Sequence, residues 1–194
     1  MKIVAFAASN SSHSINLVLA THAAGLVPGA SVGVLDLNDY EMPLFSEDRE
    51  NEHGHPEQAR YFIDRMAEAD ALITSYAEHN GSFSAAYKNV VDWASRVDRS
   101  VFQGKPTLML ATSTGRGGGG DVLAHAATLA PTFGAQLVTT LSVPSFKRNF
   151  DVSSNRFTNP VIAADLEQAV LSLANVVATA NKPASVEFGM TQPG

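Results

Sequence analysis

The chain has 194 residues, of which 45% are hydrophobic and 16% are charged. This length and composition predict one globular domain with a sizeable core, and they exclude a disordered chain, which combines low hydrophobicity with high net charge. Nineteen acidic and thirteen basic residues give a net charge of -6. We therefore expect no binding of nucleic acid or of an anionic membrane surface through a basic face.

The sequence contains no cysteine, which excludes disulfides, thiol nucleophiles and thiolate metal ligands. Any redox chemistry must therefore come from a bound cofactor. The apolar run in residues 1–8 is too brief for a signal peptide, and we expect no apolar stretch that approaches the ~20 residues of a bilayer span. These features predict a soluble, cytoplasmic protein.

Short apolar runs alternate with stretches of helical period along the chain. The runs predict strands buried on both faces, at residues 3–7, 31–37, 71–76, 107–111 and 136–141. The periodic stretches predict helices at residues 15–26, 59–66, 87–94, 123–130 and 162–173. This alternation predicts an α/β three-layer sandwich around a five-stranded parallel sheet.

Three further segments lie outside this pattern. Residues 36–56 and 142–159 are expected to be long surface loops. Residues 181–194 are expected to be a tail or an arm onto another subunit, which leaves residues 1–180 as the single domain.

Ligands of open parallel sheets bind beyond the carboxyl ends of the strands, so the loops after the first, third and fourth strands are the candidate sites. The first loop combines hydroxyls, an amide and exposed backbone N–H groups at the positive end of a helix, which together can hold a phosphate. Its candidate residues are Ser9, Ser11, Ser14, Ile15 and Asn16. Helix capping by Ser12 or Ser14 explains the same residues without a ligand.

The other two loops suit a planar ligand. The second loop contains an Asn-Gly turn flanked by donors that can face the edge of a heterocycle, and its candidates are Glu78, His79, Asn80, Gly81 and Ser82. The third loop is rich in glycine, which allows close approach of the backbone to a ligand, and it carries one fixed cation. Its candidates are Ser113, Thr114, Gly115, Arg116, Gly117 and Gly118.

Other motifs are rejected. A formal G-x-G-x-x-G at residues 115–120 follows the fourth strand rather than the first, and no acid lies about 20 residues beyond it to bind a ribose. The chain has no Walker, H-E-x-x-H or G-x-S-x-G motif. His53 and His55 lie in an acidic segment, but we assign no metal to them, because such exposed histidines are usually solvated.

Together the three loops resemble the NADPH-dependent FMN reductase family of flavodoxin-like proteins, which includes quinone, chromate and azo-dye reductases. The family's phosphate loop, G-S-x-R-x-x-S-x-N, is matched at Ser9, Ser14 and Asn16. Its P-E-Y-N-G-S loop, followed by L-K-N and D-W, is matched at Glu78, Asn80, Gly81, Ser82, Lys88, Asn89, Asp92 and Trp93. Residues 115–118 match its glycine-rich loop, and residues 43–45 resemble its P-L-[FY] segment.

The resemblance implies a flavodoxin-like sheet of order 2-1-3-4-5. It implies FMN, with the phosphate at residues 9–16 and the ring between the second and third loops, and NADPH or NADH as electron donor. The acceptor would be a quinone, an azo dye, a metal oxyanion or free flavin, and the protein a homodimer or homotetramer. Because the cofactor carries the chemistry, no catalytic side chain is assigned, and His79 is a candidate for ring contact or proton delivery.

The chain departs from the family pattern at four positions. Ala8 replaces the family's glycine, Ser11 its arginine, Ala77 its proline and His79 its tyrosine. The loss of the arginine removes a bidentate phosphate partner, which bears on FMN affinity and on the choice between NADPH and NADH. Two alternatives remain open: an electron carrier or redox-sensing partner without turnover, and a degenerate member of the fold used for interaction.

Overall fold

The computed structural model describes residues 1–180, and the expected tail at 181–194 lies outside them. Five strands form one parallel sheet in the order β2-β1-β3-β4-β5, which confirms the predicted flavodoxin-like order. The strands are β1 (Lys2–Ala8), β2 (Ser31–Leu35), β3 (Ala71–Tyr76), β4 (Pro106–Thr112) and β5 (Gln136–Val143).

Helices cover both faces of this sheet. They are α1 (Ile15–Gly25), α2 (Glu47–His53), α3 (Glu57–Ala67), α4 (Ala85–Val97), α5 (Gly120–Leu129), α6 (Phe146–Asn149) and α7 (Pro160–Ala180). One face packs on α1 and α7, and the other on α3, α4 and α5. The predicted three-layer sandwich is confirmed.

Strand β1 shows why the apolar runs form central strands. Its residues from Ile3 to Ala8 are at most 2% exposed. Val4 and Phe6 belong to the core beneath α3 and α4, whereas Ile3 and Ala5 belong to the core beneath α1 and α7. Because successive side chains of a strand point to opposite faces, a continuous apolar run is what a strand with two covered faces requires.

The segment 36–56 is not the loop that we expected, and β2 ends at Leu35 rather than at residue 37. A 3-10 helix (Leu37–Tyr40) follows β2 directly, and α2 follows it. Ser46 caps α2 by accepting a hydrogen bond from the N–H of Arg49 at 3.2 Å, and acidic residues in the first turn favour the positive end of the helix. No residue of α2 is buried, so the helix has no apolar stripe by which the sequence could predict it.

The segment 142–159 is also more regular than expected. It begins with the end of β5 and contains α6, followed by a small antiparallel hairpin of β6 (Phe150–Asp151) and β7 (Arg156–Phe157). Phe146 and Phe150 stack with ring centroids 4.9 Å apart and bury against the α1 and α7 core. Two-residue strands and a four-residue helix are too short to produce a periodic signal.

Helix α7 is long and apolar enough, by length and composition alone, to cross a membrane. The expectation that no stretch approaches this length is therefore wrong. Leu166, Val170 and Leu173 of α7 are at most 1% exposed and belong to the core on one face of the sheet. A helix that packs along a sheet can therefore have the length and composition of a membrane span.

Candidate functional site

The loops that follow β1, β3 and β4 leave the sheet at the same edge. Ala8 of β1 pairs with Tyr76 of β3, and Tyr76 pairs with Ala111 of β4, so the three strands end level with one another. The strand order reverses at β1, because β2 lies on one side of it and β3 on the other. The three predicted loops therefore meet where parallel sheets bind ligands.

The first loop is shaped by its own hydroxyls. Ser9 Oγ accepts a hydrogen bond from the N–H of Ser11 at 3.2 Å, and Ser11 Oγ accepts one from the N–H of His13 at 3.3 Å. Ser14 is the N-cap of α1, and its Oγ accepts from the N–H of Leu17 at 3.2 Å. Each hydroxyl acts as an acceptor in these bonds and keeps its own O–H to donate.

The side chain of Asn16 connects the start of α1 to the ends of β3 and β4. Its amide exchanges two hydrogen bonds with the backbone of Thr112 at the end of β4, at 3.0 and 3.1 Å, and accepts a third from the hydroxyl of Ser75 at 2.7 Å. Asn16 is 3% exposed. The backbone N–H groups of Ile15 and Asn16 lie in the first turn of α1, where they have no partner within the helix. These two N–H groups are therefore the ones suited to a phosphate.

The second loop is a two-residue hairpin turn. The N–H of His79 donates to the carbonyl of Ser82 at 2.9 Å, and the N–H of Ser82 donates back at 3.1 Å. Asn80 and Gly81 between them have φ values of 52° and 74°, as a type I′ turn requires at both central residues. The turn is exposed, so the peptide groups of Asn80 and Gly81 lie outside the hairpin's own pair of hydrogen bonds and face solvent or a ligand.

Glu78 connects the second loop to the third. Its Oε2 accepts a hydrogen bond from the N–H of Val122 at 3.2 Å, in the first turn of α5. Gly119, the N-cap of α5, has no side chain to cap that turn. The carboxylate therefore stabilises the positive end of α5 and connects the hairpin to the glycine-rich loop.

The glycines of the third loop are of two kinds. Gly118 has a φ of 61°, and a Cβ there would collide with Ser142 Oγ and lie 3.0 Å from the backbone nitrogen of Pro144. Packing against the end of β5 is thus sufficient to require a glycine at position 118. At Gly117 a Cβ would meet no atom within 4 Å, and at Gly115 only Ser113 Oγ, at 3.8 Å. These two glycines border the open side of the site together with the exposed Thr114.

The charge of the loops is low. Arg116 is the only Lys or Arg in residues 9–14, 77–84 and 113–119, and it is exposed. Within residues 1–180 it has no acidic side chain at ion-pair distance. Its charge is therefore available to an anion.

Sequence patterns did not reveal the hydroxyls that hold these loops together. Ser84 caps α4 and donates to the carbonyl of Ala8 at 2.9 Å, which joins the second loop to the first. Thr112 donates through its Oγ1 to the carbonyl of Val143 at 2.6 Å. For Thr112 the available signal was a hydroxyl residue at the end of an otherwise apolar strand, since a buried hydroxyl requires a partner.

The motif residues of α4 also have a structural role. The indole N–H of Trp93 donates to the carbonyl of Pro43 at 2.7 Å, and the amide of Asn89 donates to the same carbonyl at 3.2 Å. Asn89 Oδ1 accepts from the N–H of Phe45 at 2.8 Å. Asn89 and Trp93 of the K-N and D-W motifs thus hold the segment 43–45 against α4, beside the site.

Comparison with known proteins agrees with this architecture. A family model described as NADPH-dependent FMN reductase matches residues 1–147. The chain is 36% identical over 119 residues to an NAD(P)H-dependent FMN reductase of Pseudomonas aeruginosa, covering 61% of this chain and 63% of that protein. It is 37% identical over 117 residues to a 2-hydroxy-1,4-benzoquinone reductase of a Burkholderia species, covering 59% and 62%.

The solved flavoenzyme FerB, an NAD(P)H:(acceptor) oxidoreductase of Paracoccus denitrificans, superposes with a TM-score of 0.77 at 21% identity, over 92% of this chain and 97% of that one. At this identity the likeness shows the fold alone. The chain spans less than two thirds of the length of the two relatives named above. The family model covers most of the chain and includes all three loops, and the chain therefore belongs to the NADPH-dependent FMN reductase family.

Proposed function

We propose that this protein is an NAD(P)H-dependent oxidoreductase that holds FMN at the carboxyl edge of its sheet and passes electrons to a small acceptor. The observation that carries the proposal is the convergence of the three loops at one edge, in a chain of this family. The acceptors named for relatives support a quinone. An azo dye, a metal oxyanion and free flavin are the other acceptors in the proposal.

The first loop fits a phosphate. The exposed hydroxyls of Ser11 and Ser12 and the N–H groups of Ile15 and Asn16 are donors at the positive end of α1, where an anion is stabilised by the helix dipole. No lysine or arginine lies in residues 9–14. The loop therefore binds the phosphate through neutral donors, and Arg116 is the fixed positive charge among the three loops.

The second and third loops fit the edge of a planar heterocycle. A Cβ at Gly81 or at Gly117 would meet no atom within 4 Å, so both backbones have an open side. The peptide groups of Asn80 and Gly81 supply donors and acceptors at a fixed spacing, because the type I′ turn holds them rigidly. Glu78 and Ser84 stabilise the two ends of this loop against α5 and β1.

The chemistry that FMN would supply when bound is hydride uptake from a nicotinamide and electron transfer to a second substrate. The protein positions the ring, excludes water and supplies hydrogen bonds to the ring edge. No side-chain acid or base is needed for hydride transfer. His79 is exposed beside the turn, where it is suited to contact the ring or to deliver a proton.

The proposal includes a homodimer or homotetramer in the cytoplasm, with a small-molecule acceptor and neither nucleic acid nor membrane as partner. Its support is the resemblance to the family and the net charge of -6, which disfavours association with anionic surfaces.

The test is a spectroscopic titration of the purified full chain with FMN, with FAD as the comparison, followed by NADH or NADPH without oxygen. We expect tighter binding of FMN than of FAD, bleaching of the visible flavin band by a nicotinamide, and recovery of the band on addition of a quinone.

Gly81→Val should weaken FMN binding, because a β-branched residue is strained at a φ of 74°. Gly81→Asn tolerates this φ and is the matched control. The proposal is contradicted if the purified protein does not bind FMN, or if neither NADH nor NADPH reduces the bound FMN.

A further inference from the structure

The tip of the second loop is the only Asn-Gly dipeptide in the sequence. Gly81 has no side chain to shield its backbone nitrogen from the side-chain amide of Asn80, and a Cβ at Gly81 would meet no atom within 4 Å. Both residues are exposed. Water therefore reaches the Asn80 amide and the peptide group that follows it.

One pair of residues holds this turn closed. His79 and Ser82 exchange hydrogen bonds at 2.9 and 3.1 Å, and they form an isolated bridge rather than part of a longer ladder. The two donors of the bridge are the N–H groups of His79 and Ser82, so the N–H of Gly81 takes no part in it. An exposed turn on a single bridge opens at a low free energy, because few buried contacts oppose the opening. Opening leaves the backbone of Gly81 free to rotate towards the Asn80 side chain.

We propose that Asn80 is a modification site, at which the protein deamidates without an enzyme. The backbone nitrogen of Gly81 attacks Cγ of Asn80 and gives up its proton. The Cγ–Nδ2 bond breaks, ammonia leaves with that proton, and a five-membered succinimide remains. Water then adds to one of the two ring carbonyls and the ring C–N bond at that carbonyl breaks, which gives aspartate or isoaspartate. Water is the only co-reactant, and no group is oxidised or reduced.

The residues on either side of the turn favour this reaction. His79 and Ser82 are exposed, and as a directly opposed antiparallel pair they place their side chains on the same side of the hairpin. An imidazole accepts a proton at neutral pH and is suited to take the one from the nitrogen of Gly81. A serine hydroxyl is able to donate to the amide oxygen of Asn80 as negative charge develops there.

The consequence for the flavin rests on the proposed function. Both products place a carboxylate in the loop that would border the ring, and this negative charge would oppose the binding of FMN, which carries a phosphate. Isoaspartate also adds a methylene group to the backbone of a two-residue turn, whose length sets the pairing of His79 with Ser82. In return, FMN bound against the closed turn would slow the reaction, because a ligand stabilises the state that it binds.

The reaction is tested on the purified full chain, incubated without FMN at mildly alkaline pH and followed by peptide mapping with mass spectrometry. We expect the mass increase of an amide-to-acid conversion in the peptide that contains Asn80, with incorporation of heavy oxygen from isotopically labelled water. Asn155 is the internal control, because it is also exposed, lies in the turn between β6 and β7 and has the same φ of 52° as Asn80. Arg156 follows it, and Asn80 should convert about tenfold faster or more, since only glycine lets the backbone nitrogen approach without a Cβ.

A variant tests the attacking residue. Gly81→Ala adds one methyl group beside the nitrogen and should slow conversion of Asn80 about tenfold, with no change at Asn155. Circular dichroism shows whether the variant folds, and the comparison of Asn80 with Asn155 in the wild type needs no variant. Equal rates at these two asparagines, or an unchanged rate at Asn80 in folded Gly81→Ala, would overturn the proposal.

FMN separates this site from the proposed function. Saturating FMN should slow conversion at Asn80 and leave Asn155 unchanged, and both the converted protein and Asn80→Asp should bind FMN more weakly than the wild type in a fluorescence titration. If Asn80 converts faster than Asn155 but FMN neither slows the reaction nor binds more weakly afterwards, the modification site is supported and the placement of the flavin against the second loop is wrong.

Discussion

The side chain of Asn16 and the backbone of Thr112 form the pair of hydrogen bonds that two peptide groups would form. Asn16 Nδ2 donates to the carbonyl of Thr112 at 3.1 Å, and Asn16 Oδ1 accepts from its N–H at 3.0 Å. The amide thus satisfies the last residue of β4 and fixes the start of α1 above it. The start of α1, where we propose that the phosphate binds, is therefore held by a contact between two residues 96 positions apart in the sequence.

Loss of this amide should destabilise the protein. We expect Asn16→Ala to lower the free energy of unfolding by about 1–3 kcal/mol, because it leaves buried groups of Thr112 and Ser75 without partners. Asn16→Asp should be at least as harmful, since a carboxylate oxygen would face the carbonyl of Thr112. Urea unfolding measures both, and Asn175→Ala on the exposed side of α7 is the control. Equal stabilities of Asn16→Ala and the control would contradict the structural role.

The two kinds of glycine in the third loop should respond differently to alanine. We expect Gly118→Ala to lower the free energy of unfolding by about 1–3 kcal/mol, because its φ is positive and its Cβ collides with Ser142 and crowds Pro144. Gly117→Ala has open space around its Cβ and should cost less than ~1 kcal/mol. Thermal unfolding compares them. If Ser142→Ala fully rescues Gly118→Ala, the strain lies in the side chain alone and the backbone argument is wrong.

Charge at the first loop should change FMN affinity in opposite directions. Ser11→Arg restores a cation at an exposed position and should tighten FMN binding, because a charge-assisted hydrogen bond contributes about 1.5–3 kcal/mol before the entropy of ordering the side chain. Ser14→Asp keeps an acceptor for the N–H of Leu17 but adds a negative charge, so FMN should bind more weakly while the helix cap is preserved.

Quenching of flavin fluorescence at low and high salt measures this pair of variants. The difference between them should shrink as salt increases, because exposed charges are screened. If both variants bind FMN as the wild type does at low salt, the phosphate does not lie in the first loop.

The buried tyrosine of α4 should make the protein sensitive to alkali. Burial raises the pKa of Tyr87 to about 12, whereas a tyrosine in the unfolded chain titrates near ~10. The stabilisation that the buried, neutral Tyr87 side chain provides is thus complete at pH values below its pKa in the unfolded chain. This stabilisation is lost as the pH rises towards the pKa of Tyr87 in the folded protein. Tyr87→Phe should therefore lose less stability than wild type between about pH 9 and about pH 11.

Urea unfolding across this pH range is the measurement. Burial also raises the pKa of Tyr76, so the pH dependence should be reduced in Tyr87→Phe and not abolished. Tyr61→Phe is the control, because Tyr61 is 55% exposed. An identical alkaline loss in all three proteins would show that burial of Tyr87 does not govern it.

Much of the architecture follows from local patterns in the sequence. Apolar runs such as 71–76 predicted strands buried on both faces, and their alternation with helical periods predicted the parallel sheet. The Asn80–Gly81 pair predicted a tight turn, because this dipeptide tolerates positive φ at both positions. The three loops indicated the family, which the family model confirms. Elements without an apolar stripe, such as α2, could not be predicted in this way, because their residues are not buried.

The hydrogen-bond partners and packing contacts of the loop residues became apparent only in the tertiary structure. Asn16 and Glu78 belong to the polar loops by sequence, yet their side chains bond to Thr112 and Val122. Gly117 and Gly118 are identical and adjacent, yet only the second packs against the end of β5. A local pattern encodes period and turn type, whereas hydrogen-bond partners depend on which distant strands end side by side. That is set by the order and register of the sheet, which no single segment of the sequence contains.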